Sequence, residues 1–177
     1  MPPGKDNVSM IHSVSGDILL SKADLIAHGV APMDDFKSGL ALALREKYPS
    51  MYKDFRHYCK TLSPKAGTAW LWAGVGQGGS TVKIAALLTQ EPPRKDGEHP
   101  GKAHLEFVNR ALHDLKKMLE KEKFTSLALP RVATGVGGLD WKDVQPVIAK
   151  VLGDLKIPIF IYETYRKGQA AQETGLK

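Results

Sequence analysis

A glycine-rich segment, residues 133–138 (ATGVGG), is the part of the sequence best suited to binding an anion. It lies between a short apolar run that ends at Pro130 and Asp140, a residue type typical of a helix N-cap. Glycines let the backbone approach a ligand closely, and successive N–H groups near a helix N-terminus attract phosphate oxygens. No Gly-Lys-Ser/Thr run follows, so the segment is not a Walker A loop. The sequence predicts either a phosphate-binding loop or a tight turn without a ligand.

A second candidate is the carboxylate of Asp17, which follows a predicted strand and precedes Ile18. A carboxylate can accept a hydrogen bond from the amino group of a purine while the neighbouring apolar side chain packs on the ring. Aspartate at the end of a strand is also typical of a local turn or a helix cap. Both interpretations stay open at this point.

His28 lies in a predicted buried strand, where an imidazole beside a phosphate could give a proton to a leaving group. Asp34 and Asp35 supply the nearby carboxylates in the loop that follows. A structural histidine that hydrogen-bonds the backbone is the favoured interpretation of His28. His12 and His57 have no partner at metal-ligand spacing, so we expect no metal site.

The elements that would position these residues alternate between strands and helices. Apolar and alternating runs predict strands near residues 9–14, 24–30, 68–73, 82–88, 126–129 and 158–162. Helical spacing predicts helices over 38–60, over 105–123 and from Asp140 onward, and Pro49 either kinks the first or begins another. Such alternation predicts an α/β fold, in which ligands bind beyond the carboxyl ends of the strands. That rule selects the loop after Val30, the Thr89–Gln90 junction and residues 133–138.

Residues 9–165 are expected to form one domain, between a flexible N-terminus (1–8) and a polar, disordered C-terminal tail (166–177). Three tryptophans could stack on a ligand, but core packing is the more general role of this side chain. Trp70, Trp72 and Trp141 are therefore assigned to the core.

The composition is that of a soluble globular protein, because 42% of the 177 residues are hydrophobic and 25% are charged. The single cysteine, Cys59, excludes an internal disulfide framework and favours the cytoplasm or another reducing intracellular compartment. No apolar run approaches the roughly 20 residues that cross a bilayer, and no secretory signal is evident, so we expect no membrane partner. The net charge of +6 suits an anionic partner such as a nucleotide, RNA or DNA, or it serves solubility alone.

An ordered set of short motifs resembles the macro domain family. The motifs are SGDIL (15–19), IAHGV (26–30), KSGLALALREKYPSMY (37–52), LLTQ (87–90), LALPRVATGVGGLDW (127–141) and IPIFIYE (157–163). The likeness extends over residues 9–165. It is greatest for the branch that contains the terminal ADP-ribose protein glycohydrolase and the macro domains of bacterial DNA ADP-ribosylation antitoxins. The resemblance implies a three-layer α/β/α sandwich around a mixed, mainly parallel central sheet.

The resemblance also implies a ligand, ADP-ribose, either free or attached to a protein, a nucleic acid or a 1''-phosphate. Asp17 would hold the adenine amino group, with Ile18 beside the base and Tyr162 flanking it. The other implied contacts come from two loops: Ser38, Gly39 and Leu40 near the distal ribose and phosphate, and Thr134, Gly135, Val136, Gly137 and Gly138 around the diphosphate. No cofactor and no metal is implied.

Two departures from the glycohydrolase branch bear on activity. That branch uses a lysine where this chain has Gln90, and the hydrolase has an aspartate in the diphosphate loop where this chain has Gly137. Glutamine cannot act as an amine nucleophile, and glycine carries no acid or base. We therefore expect a module that binds ADP-ribose or a mono-ADP-ribosyl group without chemistry.

Two alternative functions stay open. The first is a low-efficiency ADP-ribose 1''-phosphate phosphatase or de-ADP-ribosylating hydrolase, in which His28 acts with a loop carboxylate. A phosphatase of the same branch carries a histidine in the comparable stretch. The second alternative is a nucleic-acid-binding domain that depends on the net charge of +6.

Overall fold

A computed structural model of the chain describes residues 10–176, with the backbone alone at residue 77. The segment 1–8 that was predicted to be flexible, and Ser9, lie outside the described residues. The strands are β1 (Ile11–Gly16), β2 (Leu25–Val30), β3 (Ala69–Val75), β4 (Thr81–Leu88), β5 (Leu127–Pro130) and β6 (Ile159–Tyr165). The helices are α1 (Gly39–Lys47), α2 (Pro49–Leu62), α3 (Leu105–Lys121) and α4 (Trp141–Leu152). Pro49 begins a second helix, because the fixed φ of proline suits a first turn.

The sheet has six strands in the order β1-β6-β5-β2-β4-β3. Every neighbouring pair is parallel except β3 and β4, which are antiparallel. The prediction of a mixed, mainly parallel sheet is confirmed. Because β1, β2, β4, β5 and β6 run the same way, their carboxyl ends meet at one edge of the sheet. That edge is where a ligand is expected in such folds.

Helices cover both faces of the sheet. Leu25 and Ala27 of β2 pack against α3 and α4, whereas Val30 packs on the other face with residues of α1 and α2. This alternation follows from the two-residue period of a strand, and it gives the three-layer α/β/α arrangement. Trp72 is buried on the α2 side, and its Nε1–H donates to Asp54 at 2.8 Å. No helix over residues 10–176 is long and apolar enough to cross a membrane.

The C-terminal tail is ordered over residues 166–176, so the prediction of a disordered tail is wrong. Its backbone pairs with the chain just after β1, since the Asp17 N–H donates to the Gln169 carbonyl at 2.7 Å. A polar composition is typical of disorder, but the partners of this tail lie about 150 positions earlier in the chain. Composition therefore carried no information about them. Whether residues 9–165 fold without the tail stays a prediction.

Candidate functional site

A cleft of about 1270 Å³ opens at the carboxyl edge of the sheet. Its walls are the loop after β2, residues 90–102 after β4, the loop after β5 and the end of β6. The loops selected from strand ends in the sequence therefore meet in one place. Twelve of the residues singled out from the sequence line it: His28, Asp34, Asp35, Ser38, Gly39, Leu40, Gln90, Thr134, Gly135, Val136, Gly137 and Tyr162.

The glycine-rich loop lies between β5 and α4 and forms one wall of the cleft. Its ends are fixed within the loop, because the Leu139 N–H donates to the Ala133 carbonyl and the Gly138 N–H to that of Gly135, both at 3.0 Å. Within residues 10–176, no acceptor takes the backbone N–H groups of four successive residues: Thr134, Gly135, Val136 and Gly137. The helix α4 follows, and Asp140 is its N-cap as predicted. The Asp140 carboxylate accepts a hydrogen bond from the Lys142 N–H at 3.1 Å. Four free donors beside a helix N-terminus suit an anion.

Gly137 has no room for a side chain. A Cβ at this position would be 2.7 Å from the Ala103 Cβ and 2.7 Å from the Ala133 carbonyl oxygen. The Ala103 N–H also donates to the Gly137 carbonyl at 3.0 Å. An aspartate at position 137 would therefore force the loop to move.

Gln90 is buried, with 5% of its surface exposed, at the end of β4. Its Nε2 donates to the Gly101 carbonyl at 3.2 Å, which ties the strand end to the wall formed by residues 90–102. The side chain thus presents a neutral amide to the cleft, where the resemblance implies a lysine in the glycohydrolases.

The loop before α1 presents a helix N-terminus to the cleft. Ser38 is the N-cap residue and makes no side-chain cap bond, and Gly39 has a φ of 59°. Asp34 fixes this loop, since its two carboxylate oxygens accept the N–H groups of Ala31 at 3.0 Å and Phe36 at 2.9 Å. Burial raises the pKa of the Asp34 carboxyl. Asp34 therefore holds the loop in place, and its two oxygens are already engaged.

His28 lines the cleft, although only 1% of its surface is exposed. Its ring meets Phe36 edge to face, with 5.5 Å between the ring centroids. Neither Nδ1 nor Nε2 has a partner within residues 10–176, so the favoured interpretation, a histidine bonded to the backbone, is wrong. Burial lowers the pKa of His28 to about 4, and the ring is neutral at pH 7. The neutral ring carries one N–H donor and one acceptor, and both nitrogens are buried.

The family model described as the macro domain matches residues 27–148. The chain belongs to the macro domain family. A solved structure of Thermosipho africanus DarTG in complex with ADP-ribose has the same fold, with a TM-score of 0.73 at 20% identity, over 90% of this macro domain and 42% of that chain. The family resemblance and the three-layer fold are confirmed.

Two curated relatives differ in how much of their length this macro domain matches. A DNA ADP-ribosyl glycohydrolase from Thermus aquaticus is 23% identical over 95% of this chain and 45% of its own length. An ADP-ribose 1''-phosphate phosphatase from Chaetomium globosum is 24% identical over 81% of this chain and 85% of its own length. The macro domain spans less than half the length of the DNA ADP-ribosyl glycohydrolases that it matches.

Asp17 and Ile18 of this macro domain lie outside the cleft and are 6% and 3% exposed. The Asp17 Oδ1 accepts the Leu19 N–H at 3.0 Å and caps the 3-10 turn Ile18–Leu20, so the turn-cap interpretation is confirmed. Its Oδ2 accepts the Gly168 N–H of the tail at 2.9 Å. The predicted contact of Asp17 and Ile18 with a base stays a prediction. Gly138, at the far end of the glycine-rich loop, is also outside the cleft wall.

The wall formed by residues 90–102 was predicted only at its start, the Thr89–Gln90 junction, and the remainder was not assigned to the site. Arg56 of α2 holds this wall, because it pairs with Asp96 at 2.6 Å and donates to the Met33 carbonyl at 2.6 Å. One signal was available, since the segment follows the carboxyl end of β4. Arg56 and Asp96 are 40 positions apart in the sequence, and no local sequence pattern predicts their contact.

Proposed function

We propose that this macro domain binds ADP-ribose, either free or as a mono-ADP-ribosyl group on a macromolecule, in the cleft. The observation that carries the proposal is the run of free N–H groups from Thr134 to Gly137 beside the N-terminus of α4. Such a run attracts the oxygens of a diphosphate. The uncapped N-terminus of α1 at Ser38 and Gly39 brings a second positive helix end to the same cleft.

Two relatives support a nucleotide ligand. The Thermosipho africanus protein of the same fold was solved with ADP-ribose, and the Thermus aquaticus relative is a DNA ADP-ribosyl glycohydrolase. The amide of Gln90 and the crowded position of Gly137 favour binding over hydrolysis in this chain. The proposal is therefore a recognition module rather than an efficient hydrolase.

The charges of the cleft argue against nucleic acid as the sole partner. The ionisable residues of opposite sign that line it nearly balance: Lys37, Arg94, Lys102 and Arg131 against Asp34, Asp35, Glu91, Glu98 and Glu163. The net charge of +6 is therefore not concentrated at the cleft. A site that bound a phosphate backbone in this cleft would need a clear excess of positive charge.

Titration calorimetry with ADP-ribose tests the proposal, and position 135 supplies the variants. Apart from the two chain neighbours, no atom of residues 10–176 lies within 4 Å of a Cβ added at Gly135, so a side chain there starts in open space. Gly135→Glu places a carboxylate beside the diphosphate and should weaken binding about tenfold or more relative to Gly135→Gln, which has the same shape without the charge. Equal dissociation constants for the two variants would contradict diphosphate binding by this loop. No binding by the unaltered chain at millimolar ADP-ribose would overturn the whole proposal.

A second candidate function, a phosphatase that acts on ADP-ribose 1''-phosphate, is favoured by one observation. His28 lines the cleft, its two buried ring nitrogens have no partner within residues 10–176, and one curated relative is such a phosphatase. A phosphate bound beside the ring would raise the pKa of His28 and help the ring to take up a proton. The test is release of inorganic phosphate from ADP-ribose 1''-phosphate. If His28→Ala releases phosphate as fast as the unaltered chain, the role of His28 is wrong.

A further inference from the structure

The ordered tail, residues 166–176, runs directly over the start of the chain segment that follows β1. β1 and β6 are parallel neighbours and end together, with Gly16 beside Tyr165. The tail therefore leaves β6 next to Asp17. The Arg166 N–H donates to the Gly16 carbonyl at 3.0 Å, and the Gly168 N–H donates to the Asp17 Oδ2 at 2.9 Å.

Glu173 anchors the far half of the tail. Its Oε2 accepts the hydroxyl of Ser21 at 2.5 Å and that of Tyr162 at 2.8 Å. Its Oε1 accepts the Lys22 N–H at 2.8 Å. One tail carboxylate thus engages three groups near the residues that the resemblance places around adenine.

Apolar contacts complete the cover. Ala171 and Leu176 pack against the cluster that contains Ile18 and Tyr162. Gly16 lets the tail approach, because a Cβ there would be 2.8 Å from the Cβ and from the backbone nitrogen of Ala171. The result is that a carboxylate and an apolar side chain suited to a purine are both buried beneath the tail.

We propose that residues 166–176 are an autoinhibitory segment that covers the base-binding end of the nucleotide site and withdraws when the adenine of ADP-ribose binds. The inference rests on the proposed function. Asp17 has Oδ1 engaged by the Leu19 N–H and Oδ2 engaged by the Gly168 N–H. An exocyclic amino group is also an N–H donor, so it would take the place of Gly168 at the same oxygen.

Adenine restores part of what withdrawal of the tail breaks, but not the three hydrogen bonds of Glu173. Withdrawal of the tail exposes Ile18, and an adenine ring covers the same apolar surface again. The apparent affinity for ADP-ribose is therefore the intrinsic affinity multiplied by the fraction of chains in which the tail is withdrawn. Removal of its contacts should tighten nucleotide binding, which is the reverse of what removal of a binding residue does.

Calorimetry with ADP-ribose on three chains of 177 residues tests this: the unaltered chain, Glu173→Ala and Gln172→Ala. Glu173→Ala removes three hydrogen bonds of the tail and should tighten binding about three- to tenfold. Gln172 is exposed and adjacent, so Gln172→Ala is the control and should bind as the unaltered chain does.

Hydrogen exchange on the unaltered chain gives a readout that needs no variant. On addition of ADP-ribose, the amides of residues 168–176 should lose protection while those of residues 134–137 gain it. Unchanged or weaker binding by Glu173→Ala, or increased protection of the tail, would overturn autoinhibition and leave ADP-ribose binding intact. If none of the chains binds ADP-ribose, the proposed function fails and this inference fails with it.

Discussion

Gly137 and Ala103 are in contact so close that a Cβ on Gly137 would be 2.7 Å from the Ala103 Cβ. The contact joins the glycine-rich loop to Ala103, the residue that follows the wall formed by residues 90–102. The loop is held where residues 134–137 line the cleft, and this packing leaves no space for a side chain at Gly137. An aspartate at position 137, which the resemblance implies for the hydrolases, would not fit beside Ala103 unless the loop moved.

Gly137→Asp should therefore fail to create hydrolysis. Overpacking should lower the free energy of unfolding by about 1–3 kcal/mol and weaken ADP-ribose binding, because the loop must shift away from Ala103. Gly135→Asp, whose added Cβ meets no atom within 4 Å, is the control for stability. Urea midpoints of the two variants give the comparison. An unchanged midpoint for Gly137→Asp would show that the loop relaxes without cost.

The burial of His28 predicts a pH dependence of stability. The pKa of His28 is about 4 in the folded chain, below the ordinary 6.5, so between these pH values the unfolded chain binds more protons. The free energy of unfolding should therefore rise with pH across this window, and at pH 5 it should be about 2 kcal/mol below its value at pH 7 through this residue. His28→Leu should remove that difference in urea unfolding, while His113→Gln, at an exposed position, should keep it. The same loss on acidification in His28→Leu would contradict the assignment.

A substitution at Gln90 tests why this chain would bind ADP-ribose without hydrolysing an ADP-ribosyl bond. Gln90→Lys places an amine in the cleft near the Gly101 carbonyl, where the amide Nε2 now lies. If the amine attacks the anomeric ribose carbon, a C–N bond forms while the bond from that carbon to the DNA base breaks, and the base leaves with a proton from water. Water then hydrolyses the adduct, so we expect slow release of ADP-ribose from a mono-ADP-ribosylated DNA oligonucleotide. Gln90→Met, of similar length without the charge, should release none. Intact binding with no release by Gln90→Lys would show that the lysine alone is not what is missing.

Much of the framework could be predicted because its causes are local. Apolar residues at a period of two or 3.6 mark strands and helices wherever they lie in the chain. The proline at position 49 begins α2, and Asp140 caps α4 through a neighbour two positions away. The strand-end rule then selected the loops that form the cleft, since parallel strands bring their carboxyl ends together.

The environment of His28 could not be predicted in the same way. The sequence places it in a buried strand, and a buried imidazole is ordinarily hydrogen-bonded. Phe36 packs on the ring instead, and both nitrogens are left without a partner within residues 10–176. That outcome depends on how the loop after β2 folds back over its own strand, which residue types alone do not specify.

The amino-acid sequence by itself determined the strands, the helices, the family and the set of loops at the carboxyl edge of the sheet. The tertiary structure alone decided that the tail covers Asp17, that Gly137 has no room beside Ala103 and that the ring of His28 is neutral. The physical reason is distance along the chain. Periodicity and caps act between residues a few positions apart, whereas burial and close packing arise between residues that meet only when the chain has folded.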